Sequence, residues 1–326
     1  MSACYKTILI VVMACLFFVA CDSNKSEAIP IRIAVSKTPL SSPVYIAHEQ
    51  GIFEQCGLDV SIIEYAGGLR SFNALVNDKA DFATSSDTLV AFKAMEHKDI
   101  SLIASFSSSD HDTKVLENTS ANLGATYRIG YYPDTASEYL MRMYLALSPP
   151  ISNIELVPLT PEEMMNQWQQ GLLNKAVIWE PYVYKIVANN PANTKVVDTK
   201  GLYKLSFQMV SRSSILDAKP NSDERMIHAI NIATHFIAQN PETAKRMIMN
   251  QLFLDDEFMA WDWPNNQFKL NIGRQLLLNA QENARWLKKV SAARHSLSVD
   301  ASQISRKTMS MDPPTIEDSL AYCENL

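Results

Sequence analysis

The chain has 326 residues, 47% of them hydrophobic and 20% charged, an ordinary globular composition with room for about two domains or one large α/β domain. Acidic residues outnumber basic ones by 35 to 29 and no basic cluster occurs, which excludes nucleic acid as the expected partner. Nothing in the composition suggests disorder.

At the N-terminus, Lys6 precedes an unbroken apolar run over 8–20, too short to span a bilayer comfortably and right for a signal-peptide core. The run ends in Phe18-Val19-Ala20-Cys21, which resembles the bacterial lipobox, with Phe18 where Leu is usual. Cys21 is therefore the expected site of acylation, by palmitate-type chains. An overlapping candidate at Cys15 would leave a very short apolar core followed by LFFVA. The expectation is a signal peptide over 1–20, a tether over 21–29, and an exported lipoprotein held peripherally at the membrane by lipid. Asp22 resembles an inner-membrane retention signal. Cys4 and Cys15 leave with the signal, so the mature chain keeps Cys56 and Cys323. In an oxidising compartment these two could pair, or remain two buried thiols; the sequence leaves both open.

From Pro30 short apolar strands alternate with helical segments, which predicts parallel sheets built from βαβ units. The first strand covers 31–35. Ser42 and Pro43 suit the N-cap and first position of a helix running to about 53. A second strand follows over 58–65, then the corner Ala66-Gly67-Gly68 and a helix over 69–77. Glycines at such a corner let backbone N–H groups approach a ligand, although turns use glycine anyway. A third strand over 80–84 runs into the capping stretch Ser85-Ser86-Asp87-Thr88, and 100–106 makes a fourth.

Residues 127–131 read as a strand, and Thr135 followed by Glu138 has the capping-box spacing for a helix through Leu147. The stretch 171–182, GLLNKAVIWEPY, reads as a helix end, a buried strand over 175–179, and a new helix with Pro181 in its first turn. Trp179 and Glu180 then stand at the carboxyl end of a strand, where ligands bind in open α/β sheets. Farther on, Met226, Ile230, Ala233 and Ile237 share a face of a helix over 224–239. After Asp262-Trp263-Pro264-Asn265, a helix over 271–290 carries Ile272, Leu276, Ala280, Ala284 and Leu287 on one stripe. The tail from Ser291 is polar, and DPPTIED reads as an extended connector before a short final turn.

The stretches SPVYIAHEQGIFEQCGLDVSIIEYAGG, ALVNDKADFATSSDTLV, GYYPDTASEYLMRMYLAL and NKAVIWEPYV, in that order, resemble the periplasmic substrate-binding proteins for aliphatic sulfonates, nitrate, taurine and thiamine precursors. Those proteins serve ABC importers. The resemblance covers most of 31–218; beyond Asp217 only helix pattern supports it. Asn174 stands where the family usually has Asp, and Asn77-Asp78-Lys79 replaces its usual glycine turn. Both are turn positions expected far from the ligand.

The resemblance implies an α/β fold of two lobes closing like a Venus flytrap, each lobe a mainly parallel sheet flanked by helices. Lobe I would comprise 30–108 and 204–326 and lobe II 109–203, with hinge crossings at 107–112 and 204–211. An internal echo agrees: LVNDKADFATSSD and WQQGLLNKAVIWEPY each run helix, turn, strand, helix cap. The ligand contacts it nominates are Ser42, Pro43, Tyr45, Gly67, Gly68, Ser86 and Asp87 from lobe I, with Thr135, Ser137, Glu138, Trp179 and Glu180 from lobe II. Capped helix N-termini suit an anionic head, whereas Asp87, Glu138 and Glu180 suit an amine, so a zwitterionic sulfonate or thiamine precursor fits the mixture better than nitrate. The expected partners are a small molecule and, through the closed form, a membrane permease with its ATPase, the protein itself being a monomer.

No GxSxG, Walker loop, HExxH or CxxC is present, and His228 and His235 lack metal-ligand helical spacing. Asp110-His111-Asp112 could bind a metal but is expected to face water, so neither a metal nor a cofactor is expected. The same family contains pyrimidine synthases that consume a protein histidine. This chain lacks their cysteine-rich motif, and His48 reads as a surface helix residue. A non-enzymatic receptor is therefore the expectation, with a ligand-sensing or orphan surface lipoprotein as the alternative.

Overall fold

The computed structural model describes residues 27–121, 123–290, 303 and 310–326. The signal peptide expected over 1–20, Cys21 and Asp22 fall outside the described residues, as does most of the polar tail.

Two sheets organise the chain. The first is six-stranded, from β1 (Ile29–Ser36), β2 (Leu58–Tyr65), β3 (Phe82–Ser86), β4 (Ile100–Ser109), β10 (Leu205–Arg212) and β11 (Asn266–Asn271), in the order β11-β4-β10-β3-β1-β2. The second is five-stranded, from β5 (Thr113–Asn118), β6 (Tyr127–Tyr131), β7 (Ile154–Pro158), β8 (Lys175–Trp179) and β9 (Thr194–Val197), in the order β7-β6-β8-β5-β9. In each sheet three parallel strands at one side, β2-β1-β3 and β7-β6-β8, meet a strand of opposite direction, β10 in the first sheet and β5 in the second. The chain passes between the sheets twice, from β4 to β5 and from β9 to β10.

Helices follow the strands: α1 (Ser42–Glu49), α2 (Ile52–Gln55), α3 (Gly68–Val76), α4 (Asp87–Glu96), α5 (Ala136–Leu147), α6 (Pro161–Gln169) and α7 (Tyr182–Asn189). After β9 and β10 come α8 (Ser213–Ala218), α9 (Ser222–Gln239), α10 (Pro241–Leu252), α11 (Asp256–Asp262), α12 (Arg274–Val290) and α13 (Ile316–Glu324).

Period-two alternation in the strands decides which side chain meets which layer. Ile31, Ile33 and Val35 face a core shared with α1 and α9, where Met226, Ile230, Ala233 and Ile237 are all buried. Ala34, Ala83 and Val210 face the opposite layer, with Phe72, Leu75, Phe92, Leu276, Ala280 and Ala284. In the second sheet Leu116, Ala176 and Ile178 meet Trp168 and Ile186, while Val115 and Val177 meet Leu140 and Met141. The C-terminal helix is fixed to the first body by a Cys56–Cys323 disulfide, with Cα atoms 4.3 Å apart. His228 on α9 stacks on Tyr322 of α13 at 4.0 Å and shares a 3.0 Å hydrogen bond with Ser319.

Several elements differ from the sequence pattern. Gly51, at φ 65°, divides the first helical stretch into α1 and α2. The third strand lies two residues later than expected. Residues 266–271 form β11 at the edge beside β4, a strand the sequence pattern did not mark, and the helix expected from Asn271 starts at Arg274. The final turn is a nine-residue helix, started by a capping box between Thr315 and Asp318. Leu276, Ala280 and Ala284 share the buried stripe of α12, whereas Ile272 precedes the helix and the Leu287 side chain is outside the described residues.

Candidate functional site

A cleft of about 410 Å³ lies where the carboxyl ends of β1, β3, β6 and β8 meet between the two bodies. Its wall from the first body comprises 36–40, the corner Ala66-Gly67-Gly68 with Leu69 and Arg70, Ser86 and Leu89, and the segment 252–255 with Phe258. From the second body come Tyr132, Thr135, Ala136, Pro161, Glu162, Trp179 and Tyr182.

Trp179 ends β8, so the strand's last residue projects into the cleft. Its ring stacks on Tyr132 at 6.0 Å with 27° between planes, and Tyr182 meets it edge-on at 6.0 Å. A Cβ at Gly67 would lie 3.8 Å from Cζ2 of Trp179, so the two bodies touch here. Gly67 sits at φ 92°, which favours glycine. Gly68 is demanded by space: a Cβ there would come 2.6 Å from Oγ of Ser85 and 3.2 Å from its Cα.

The charged residues divide into committed and uncommitted. Glu162 accepts from the Tyr182 hydroxyl at 3.2 Å, and burial together with this carboxylate pushes the phenol up to about 12. Asp255 caps α11, accepting from the Phe258 N–H at 2.7 Å. Lys37 pairs with Glu64 at 3.5 Å. Arg70, at the start of α3, and Lys185 on α7 have no ion pair among the described residues.

Of the twelve residues expected at the ligand, Gly67, Gly68, Ser86, Thr135, Trp179 and Glu180 border the cleft. The other six do not. Ser42 is wholly buried and donates to the Pro39 carbonyl at 2.5 Å, while Pro43 and Tyr45 belong to the buried face of α1. Asp87 turns inward, accepting from the Tyr203 hydroxyl at 2.7 Å and the Thr88 N–H at 2.8 Å; burial pushes its carboxyl up to about 6 against these donors. Ser137 donates to the Val177 carbonyl at 2.5 Å and accepts from the Tyr132 N–H at 2.9 Å. Glu138 pairs with Arg142 at 2.8 Å and accepts from the Asp134 N–H at 3.0 Å, in place of the reciprocal box with Thr135.

Glu180 borders the cleft yet is only 1% exposed. Its Oε1 accepts from Lys114 Nζ and from Trp261 Nε1, each at 2.6 Å, and its Oε2 accepts from the Tyr184 N–H at 3.0 Å. The Trp261 bond reaches from the second body to α11 of the first. Pro181, expected inside the helix, precedes it as the N-cap, and the Glu180–Pro181 peptide is cis.

Beside this pair, Asp112 and Asp262 are also buried, at 5% and 4% exposure. Burial, then Asp262 and Glu180, push Asp112 up to about 8; burial, then Glu180, push Asp262 up to about 7. His111 is exposed and faces Asp110 at 3.6 Å. Among the described residues no three His, Cys, Asp or Glu side chains converge as metal ligands.

Sequence reasoning missed Tyr132, Arg70, Tyr182 and the whole 252–258 wall. Tyr132 had a usable signal, since it follows a predicted strand directly, as Glu180 does. The 252–258 wall had none, being brought in by the return of the chain. Asn174, the departure from the family pattern, lies at the far end of its sheet, where its Oδ1 accepts from the Arg128 N–H at 2.8 Å.

Family models described as "NMT1/THI5 like" and "NMT1-like family" match residues 38–121 and 90–251. The chain belongs to the NMT1-like family. Proteins of Brucella abortus and Brucella suis named as binding proteins are 23% identical to this NMT1-like chain over 245 residues, 71% of this chain and 76% of theirs. Among solved structures, the alkanesulfonate-binding protein SsuA from Xanthomonas axonopodis pv. citri, bound to MOPS, superposes with a TM-score of 0.67 at 15% identity. That match covers 84% of this chain and 96% of SsuA. The nitrate-binding protein NrtA from Synechocystis PCC 6803 gives 0.60 at 14% identity, over 92% and 99%. The NMT1-like chain thus has the two-lobed α/β fold of periplasmic binding proteins. Among the described residues no helix is long and apolar enough to cross a membrane.

Proposed function

We propose that this protein is the solute-capturing receptor of an ABC-type importer, exported and lipid-anchored through Cys21, and that it holds a small organic anion or zwitterion between its two bodies. One observation carries the reading: Trp179 of one body meets Gly67 of the other around a cleft of about 410 Å³ walled by aromatic and aliphatic side chains. A ligand gripped by both walls stabilises the closed form by its differential affinity for that form.

The charge pattern supports an anionic head with an apolar body. Arg70 and Lys185 stand at the cleft without ion-pair partners among the described residues, whereas Asp87, Glu138 and Glu180 are each engaged by donors. Nitrate alone would leave most of the volume unfilled, a water molecule taking only about 30 Å³ of liquid. Trp179 and Tyr132 suit stacking on a flat or alkyl group. No turnover of the bound molecule is expected, and the closed monomer would dock on a permease.

The test is a thermal-shift screen with alkyl- and arylsulfonates, taurine, nitrate and aminopyrimidines, repeated with Trp179→Ala and Arg70→Ala. A ligand at 100 times its dissociation constant adds about 2.7 kcal/mol. Sulfonates should raise the melting temperature of the native protein and of neither variant. A response to aminopyrimidines alone would overturn the anion assignment, and no response to any compound would count against capture by this cleft.

A further inference from the structure

Four ionisable side chains, all buried, meet at the crossing between the two bodies. Asp112 lies on the crossing segment between β4 and β5; Lys114 and Glu180 belong to the second body; Asp262 ends α11 of the first. Three carboxyl groups thus share one ammonium group. Lys114 is held by Glu180 at 2.6 Å and by the His111 carbonyl, so it cannot also neutralise the other two acids at close range. Among the described residues the Asp112 carboxyl receives a side-chain hydrogen bond only from the Thr113 hydroxyl, at 3.1 Å, and the Asp262 carboxyl only from the Asn266 amide, at 2.8 Å. Facing Asp112 are Asp262, Glu180 and Lys114; facing Asp262 are Glu180 and Lys114.

We propose that this junction is a proton-binding site that couples the closure of the two bodies to pH, the joined state taking up protons on Asp112 and Asp262 and the separated state releasing them. The bodies are bridged here by the Trp261 indole N–H, which donates to Glu180 across the gap. Rotation about the crossings breaks that bond and draws Asp262 away from Glu180 and Lys114. Water then reaches the carboxyl groups, and each ionises nearer its ordinary value, because desolvation and like charge are both relieved. Protons therefore bind more tightly to the joined state, and by linkage a falling pH favours joining while a rising pH favours opening. The preference for joining is complete below the ordinary range of the two acids and is lost as pH rises to the values of the joined state, about 7 for Asp262 and about 8 for Asp112. The inference rests on the two-body hinge alone; only its consequence, weaker capture at higher pH, rests on the receptor assignment.

The experiment needs no ligand. Spin labels at Glu49→Cys and Ala188→Cys, exposed positions on α1 and α7, report the separation of the bodies in the full-length protein. Between pH 5 and pH 9 the long-distance population of the otherwise native chain should grow severalfold and level off above about pH 8. Asp112→Asn with Asp262→Asn, neutral at every pH, should keep the pH 5 distribution throughout. Trp261→Phe removes the bridging N–H along with part of the ring near Lys114 and Tyr184, and should enlarge the long-distance population already at pH 5, which tests the bridge if the double variant fails to fold. A native distribution that does not change with pH, a double variant that still titrates, or a Trp261→Phe protein with unaltered distances would each overturn the proposal. Failure of the ligand screen would leave these outcomes untouched.

Discussion

Glu180 borders the cleft beside Trp179 and also holds Lys114 and Trp261, and its removal separates a ligand-binding role from a structural one. Glu180→Ala deletes three acceptor contacts at once, to Lys114, Trp261 and the Tyr184 N–H, at 2.6, 2.6 and 3.0 Å. At 2.6 Å and an effective dielectric of about 20, the attraction to Lys114 is roughly 6 kcal/mol, before the cost of desolvating both groups. Asp112 and Asp262 can ionise to answer part of the freed ammonium charge, so the full amount is not lost. Breaking a buried pair from one side costs about 3–5 kcal/mol, and that range is expected here. At about 2–4 °C per kcal/mol for a chain of this size, the melting temperature should fall by roughly 10 °C. Urea denaturation followed by circular dichroism measures the loss directly. Glu180→Gln, which keeps one acceptor oxygen and so can serve either Trp261 or the Tyr184 N–H but not both, should lose less. The reasoning is refuted if Glu180→Ala changes stability by less than about 1 kcal/mol while abolishing a ligand response, because Glu180 would then act on the ligand.

Replacing both Cys56 and Cys323 by Ala opens a closed loop with a sequence separation of 267 residues. Chain entropy puts the ceiling near 5–6 kcal/mol and comparable bridges cost about 2–5, so reductant should lower the urea midpoint of the native protein and not of the variant. Gly68→Ala should destabilise by about 1–3 kcal/mol, since the added Cβ meets the Ser85 backbone as well as its hydroxyl; an unchanged melt would show that the start of α3 shifts freely. Phe253, 88% exposed and at φ 55° where α10 ends, is a bulky residue at a place that favours Gly or Asn. Phe253→Asn should therefore leave stability equal or raise it by about 0.5 kcal/mol, and a clear loss would point to a packing role that the exposure does not suggest.

Local sequence was informative wherever the physics is local. Apolar runs bounded by Gly, Ser and Pro marked β1, β2, β6 and β8, and the strand-end position of Trp179 placed it at the cleft, because clefts in open α/β sheets form outside the carboxyl ends of the strands. It failed where direction matters. Ser42, Ser137, Asp87 and Glu138 occupy helix starts that suit a ligand equally well on paper. Whether the oxygens of Ser137 and Asp87 turn outward or bond inward depends on Val177 and Tyr203, which lie 40 and 116 residues away along the chain.

The chain's own order of residues thus determined the alternation of strands and helices, the strand-end aromatic and the glycine corner that meets it, since each follows from periodicity, turn chemistry or the lack of a Cβ. Only the tertiary structure decided that Glu180 belongs to Lys114 and Trp261, that Arg70 and Lys185 border the cleft without an ion-pair partner among the described residues, and that 252–255 and Phe258 return to wall the cleft. Long-range packing decides those points, because a charged side chain settles on whichever partner folding brings within hydrogen-bonding distance, and that partner's place in the sequence carries no mark of the meeting.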